Sequence, residues 1–187
     1  MVVGIVIGVL VVLLILFLMV PYNSLVRLRN QTKNAWAQID VQLKRRHDLI
    51  PNLMETVKGY MAHERQTLEA VTNARNLAQG AVGTGVGAQS KAEAGLSGAL
   101  SRLLAVVENY PDLKANQNFL ALQEELSSTE NKISFSRQYY NDSVLRYNNK
   151  TQMFPSNIVA GMFRFVAGEF FEVEVAAERE VPKVSFT

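Results

Sequence analysis

Cysteine is absent from this chain of 187 residues, which excludes disulfides, thiol catalysis and cysteine-ligated metal sites and is compatible with either side of a membrane. Histidine occurs only at His47 and His63, sixteen positions apart, or ~24 Å along a straight helix. Zinc binding on one helical face needs a second histidine four positions after the first, and the residue four after His63 is Thr67. A shared metal site on one chain is therefore not expected, and each histidine reads as a polar or half-buried helix residue. The net charge is only +2, and no basic residues alternate with aromatics to make a stacking platform, so nucleic acid is not a partner. Gly80, Gly83, Gly85 and Gly87 are not followed by Gly-Lys-Ser/Thr, which rules out a phosphate loop. No cofactor is implied.

Charge is also missing from the start of the chain. Val2 to Val20 contain no charged or strongly polar side chain, and at ~1.5 Å per residue they span roughly 28 Å, close to the ~30 Å hydrocarbon core of a bilayer. A cleaved signal peptide would require a basic leader and a small-residue cleavage site. Only Met1 precedes the apolar run, and Met19-Val20-Pro21-Tyr22 offers no such site. Residues 1–21 are thus expected to be a transmembrane anchor, with the lipid bilayer as partner. Gly4 and Gly8 make a small-xxx-small pattern through which two such helices approach closely. Arg27, Arg29 and Lys33 follow the anchor with no acidic residue before Asp40. Basic residues beside a span remain cytoplasmic, so the N-terminus is expected outside and the rest inside, in a single pass through the cell membrane.

Beyond the anchor, Leu25, Leu28, Ala35, Ile39, Leu43, Ile50, Leu53, Val57, Tyr60, Leu68 and Val71 advance by threes and fours. The seam predicts one helix over 25–78, kinked near Asp48 because Pro51 removes a backbone hydrogen bond. Residues 79–98 hold six of the 11 glycines and read as a flexible connection. A second helix over 96–110, closed by Pro111, and a third over 113–151 follow from the same spacing. Ser156 is placed to cap a short helix over 157–165. A last short helix is expected near 170–180, with 182–187 extended. The fold class is all-α: an N-terminal transmembrane helix continuing into a long antiparallel, coiled-coil-like bundle over 22–154, then a short helical C-terminal segment over 155–187.

The residues singled out for interaction or register are Arg45, Arg46, Asp48, Pro51 and Asn52 around the proline, and Glu130 and Asn131 on the third helix. Asp48 and Asn52 are placed to bond backbone groups released by Pro51. Arg45 and Arg46 are placed to pair with acids such as Glu130 or with a partner. Thr129-Glu130-Asn131 lies where an apolar residue would fit the seam and predicts a buried polar layer that sets packing register. Acid–base catalysis by Glu124, Glu125 and Glu130 would need a concavity that a slender bundle is not expected to provide. Exposed ion pairs contribute only ~0.2–1 kcal/mol, so reversing Arg45 and Arg46 to glutamate should change association without unfolding the chain.

Several blocks carry a family resemblance: Arg45-Arg46-His47-Asp48-Leu49-Ile50-Pro51-Asn52-Leu53, Val57-Lys58-Gly59-Tyr60, His63-Glu64, Thr129-Glu130-Asn131-Lys132-Ile133, Arg137, Tyr140-Asn141, Tyr147-Asn148 and Phe154-Pro155-Ser156-Asn157. With Phe171-Glu172 and Val181-Pro182-Lys183-Val184, they resemble the LemA family of bacterial membrane-anchored helical proteins from anchor to C-terminus. The chain departs from that pattern in its extended glycine-rich connection and at Glu174-Val175. The resemblance implies an anchored antiparallel bundle without an established reaction, and an association with a membrane-bound heat-shock-type zinc protease or, for one relative, with magnetosome membranes.

Three functions compete on this reading. The leading one is an oligomerising, non-catalytic scaffold or adaptor at the bacterial membrane. The second is direct binding or shaping of anionic membranes through Arg27, Arg29 and Lys33. The third is an enzyme, whose mark would be a pocket with convergent titratable groups.

Overall fold

The computed structural model describes residues 1–172. Helices α1 (Val2–Lys58), α2 (Arg65–Gly80), α3 (Val86–Val107), α4 (Pro111–Lys114), α5 (Gln117–Gln152) and α6 (Ser156–Met162) follow in chain order, and there is no strand among the described residues. The fold is all-α, with a helix that begins as a bare apolar rod. The most apolar 18-residue window of α1 has a mean hydropathy of 3.4, and none of it is buried against the rest of the chain. By length and composition this is a candidate membrane span.

The described residues divide into two compact units, one formed by Met1–Val41 with Ile133–Phe170, the other by Gln42–Lys132 with Phe171 and Glu172. In the first unit, α1 packs against the end of α5 and α6. Leu25, Tyr147, Val159 and Ala160 are buried together, with Leu18, Leu28 and Phe165 around them. Trp36 meets Tyr140 edge-on, ring centroids 5.1 Å apart. After α6 the chain runs irregularly along α5, and α5 side chains on one face hold it there. Tyr147 Oη donates to the Val166 carbonyl at 2.8 Å, and Tyr140 Oη donates to the Glu169 carbonyl at 2.8 Å. Asn148 both donates to the Gly168 carbonyl and accepts from its amide. A Cβ on Gly168 would lie 3.5 Å from Val144, so the backbone rests directly on the helix.

In the second unit Leu53, Val57, Met61, Val71, Leu96, Leu103, Leu113 and Phe119 form the core. The single bent helix expected over 25–78 is two helices, and the break falls at Gly59–Glu64, not at Pro51. Lys58 in the last turn and Gly59 beyond it make an ordinary C-terminal stop. The Tyr60 and Met61 amides both return to the Val57 carbonyl at 3.0 Å, a turn that buries Met61 completely. Glu64 and Asn116 then accept and donate across the end of the unit, to Tyr110 Oη and Tyr60 Oη respectively.

The connection expected over 79–98 is mostly helix. Only Ala81–Gly85 lies between α2 and α3, where Gly83 and Gly85 have φ of 80° and 122°, values that side chains disfavour. The buried positions of α3 are Gln89, Ser90, Glu93, Leu96, Ala99, Leu103 and Val107, and the first three are polar. Pro111 opens α4 at its first turn; it does not close α3. Ser156 is the first residue of α6 and not its cap, and its hydroxyl donates to the Met153 carbonyl. The helix expected near 170–180 starts in Phe170–Glu172, which are irregular, and its remainder and the extended 182–187 lie outside the described residues.

Core burial predicts a graded response. Leu103 is fully buried whereas Leu77 is 71% exposed. Leu103→Ala should cost ~2–5 kcal/mol in urea unfolding of the detergent-solubilised chain, and Leu77→Ala within ~0.5 kcal/mol of nothing. Equal effects would show that the α3 seam does not hold the second unit together.

Candidate functional site

The polar centre of the second unit is built by α1, α3 and α5. Arg46 projects from α1 and is only 2% exposed. A guanidinium so far from water requires compensating partners. Its Nη2 bonds Glu93 of α3, and its Nη1 donates to Glu130 Oε2 of α5 at 2.7 Å and to Ser97 Oγ at 2.9 Å. His47, the next residue along α1, is also buried and places Nε2 2.8 Å from the second oxygen of Glu93. One buried carboxylate thus joins two consecutive side chains of α1 to α3, while Glu130 ties the same arginine to α5. Thr129, next to Glu130 in the chain, is fully buried, and its hydroxyl has no hydrogen-bond partner among the described residues.

Electrostatics decide the state of Glu93. Burial alone would push its carboxyl up, but the His47 hydrogen bond and the nearby Arg46 charge prevail and hold it below the ordinary value. It is therefore an ionised structural anchor and not a proton donor. Tyr140, in the first unit, behaves oppositely: burial, with Glu169 adding to it, pushes its phenol up to about 12, in keeping with its role as a hydrogen-bond donor.

A second bond explains how α1 passes through Pro51. Proline cannot donate to the carbonyl four residues back, which is that of His47. Arg75 of α2 supplies the missing donor, its Nε lying 2.9 Å from the His47 carbonyl oxygen. The expectation that Asp48 and Asn52 would bond the released backbone groups is corrected accordingly. Both are exposed, and so is Pro51.

The remaining predicted residues fall apart from one another. Arg45 is exposed and pairs with Glu125 on the surface. Asn131 is exposed on α5. Val2, Gly4, Gly8 and Val20 lie on the exposed apolar length of α1, with open space around both glycines. The structure separates the two arginines: Arg46 pairs with Glu130 and Arg45 with Glu125. Glu93 was missed because it sits in a stretch scanned for glycine. The available signal was its place in the seam Gln89, Glu93, Leu96.

Next to Arg46 and Glu130 is a cavity of about 200 Å³, lined also by Leu53, Leu100, Leu104 and Leu126. The bundle is thus less slender than expected, yet the two charged groups at this cavity are bonded to each other. Among the described residues no three histidine or carboxylate side chains converge as metal ligands.

The arrangement defines an all-helical protein with one candidate membrane-spanning segment and a bundle joined through a buried arginine–carboxylate cluster. The sequence profile of the LemA family matches residues 35–186, and the chain belongs to that family. It is 26% identical over 195 residues to magnetosome protein MamQ 2 of Paramagnetospirillum magneticum, covering 91% of this chain and 72% of the relative. It is 31% identical over 140 residues to protein LemA of Metamycoplasma hominis, covering 74% of this chain and 63% of that protein. MamQ of Magnetospirillum gryphiswaldense is 23% identical over 188 residues.

Burial overturns the expectation that both arginines can be reversed harmlessly. Arg46→Glu should cost ~3–5 kcal/mol or abolish folding, because it leaves Glu93 buried beside a like charge. Arg45→Glu should cost less than ~1 kcal/mol. Circular dichroism melts of the two variants distinguish these outcomes.

The depressed carboxyl makes a pH prediction. A group held below its ordinary value of 4.5 stabilises the fold above that value, and the contribution disappears as pH falls through the folded value. Glu93→Gln, which resembles the protonated acid, should be less stable than wild type at neutral pH. The gap should close below pH 4.5. A gap that stays constant with pH would mean that Glu93 is not charged in the fold.

Proposed function

We propose that this protein is a membrane-anchored, non-catalytic scaffold or adaptor that self-associates and presents its bundle to partners at the bacterial membrane. The observation that carries this reading is the division of labour along α1. Its first part is apolar and unburied, and its later part supplies Arg46 and His47 to an ion cluster whose charges are satisfied internally. Both oxygens of Glu93 are taken up by Arg46 and His47, and this joins α1 to α3. Relatives named as magnetosome proteins support a place in assemblies at a membrane. By family resemblance, a membrane-bound heat-shock-type zinc protease is one partner class. The basic residues Arg27, Arg29 and Lys33 favour a cytoplasmic bundle with the N-terminus outside.

Self-association rests on Gly4 and Gly8, which leave one face of the span open to close approach. Mass photometry of the full chain in mild detergent should give more than one copy per particle, and Gly4→Leu with Gly8→Leu should shift the distribution toward monomer. A monomer at every concentration, in native-lipid discs as well as in detergent, would refute the oligomeric scaffold. Crosslinking in intact membranes followed by mass spectrometry should recover membrane proteins as neighbours.

A further inference from the structure

The first unit carries an apolar surface that its own core does not use. Met153, Phe154, Ile158, Met162, Phe163 and Val166 are all exposed, Phe154 and Val166 by more than three quarters at 76% and 78%. They belong to α6 and the turns on either side of it. From Met153 to Gly168 the chain has a single charged residue, Arg164. A contiguous apolar surface of this kind on a protein bathed by water on all sides is unusual and marks a contact with something apolar.

The position of that surface says what the contact is. Leu18, in the last turns of the apolar run, packs with Phe165 around the cluster of Leu25, Tyr147, Val159 and Ala160. Tyr22, just beyond the run, sets its ring tilted against Phe163 at 4.8 Å and edge-on to Phe165 at 5.8 Å. The exposed residues of 153–166 are therefore held at the end of the hydrocarbon-length segment of α1, where a spanning helix leaves the lipid. Tyrosine and other aromatics concentrate at that level, with an apolar body toward the acyl chains and a polar end toward water. Cations complete the pattern: Arg29 lies over the Phe165 ring, 5.1 Å from its centroid, and Arg164 is exposed two residues before Val166. Long basic side chains at this depth reach the phosphate layer while their stems stay in apolar surroundings.

We propose that residues 153–166 are a second membrane contact, an interfacial foot lying in the headgroup and upper acyl region of the bilayer that α1 crosses. This rests on the membrane-anchored reading above and adds a site to it. With two contacts, the first unit would be fixed in tilt and rotation at the membrane surface, not left swinging from a single helix.

Because the chain lacks cysteine, single-cysteine variants of the full-length protein can each carry one nitroxide label in vesicles of neutral and anionic phospholipid. The informative positions are Met153→Cys, Met162→Cys and Val166→Cys, with Val11→Cys in the span and the exposed Leu77→Cys on α2 as references. Relaxation by dissolved oxygen, which concentrates in lipid, is compared with relaxation by a water-soluble nickel chelate. The oxygen-to-nickel ratio at 153, 162 and 166 should be several-fold above that at 77 and approach that at 11. Ratios at the three positions equal to that at 77, with 11 in lipid, would overturn the foot and leave the anchor standing. A water-like value at 11 as well would overturn the anchor and the foot together. Shielding from both reagents, with dipolar broadening between copies, would show that a second protein chain covers this surface and would equally overturn the proposal.

Discussion

A guanidinium in an apolar helix interface is tolerated only while carboxylates surround it, and in this protein that condition is met by residues from three helices. Arg46 of α1 is neutralised by Glu93 of α3 and Glu130 of α5, and His47 shares Glu93. Apolar seams between helices tolerate sliding and rotation, since one leucine resembles another. The ion cluster does not, because a shift of one turn would leave a buried charge alone at a cost of several kcal/mol.

The same logic of compensation extends along α1. Pro51 deprives the His47 carbonyl of its helical donor, and Arg75 of α2 supplies another. His47 is therefore fixed twice, by its side chain to α3 and by its carbonyl to α2. A proline that would ordinarily weaken a helix here opens a bonding position for its neighbour. The helix ends instead at Gly59, where the need to bury Met61 draws the chain away from the axis.

The first unit is organised differently, by aromatics and backbone bonds. Tyr140, Tyr147 and Asn148 lie on one face of α5 and hold the segment after α6 through its carbonyls and the Gly168 amide. With its backbone groups engaged on α5, this segment and α6 leave their large apolar side chains outward, near the aromatic end of the candidate span. Charge is sequestered inside one unit, and apolar surface is displayed by the other.

The all-α class and the apolar N-terminal segment followed from local rules, since a run of nineteen uncharged residues and seams spaced by threes and fours do not depend on what lies across the core. Blocks around Arg45 to Leu53 and Tyr147-Asn148 were likewise legible as family pattern. Arg46 falls on the apolar seam, three positions after Leu43 and four before Ile50, and Arg45 does not; tertiary structure decided which acids meet the buried arginine. It also made a helix of the glycine-rich stretch, where Glu93 takes a core position through Arg46 and His47, more than forty positions away, a compensation that hydrophobic periodicity does not register. The break at Gly59, and not at the proline, depended on a donor from Arg75, 28 positions from the carbonyl it satisfies. Sequence determined which segments bury apolar surface; only the fold decided which charges could join them.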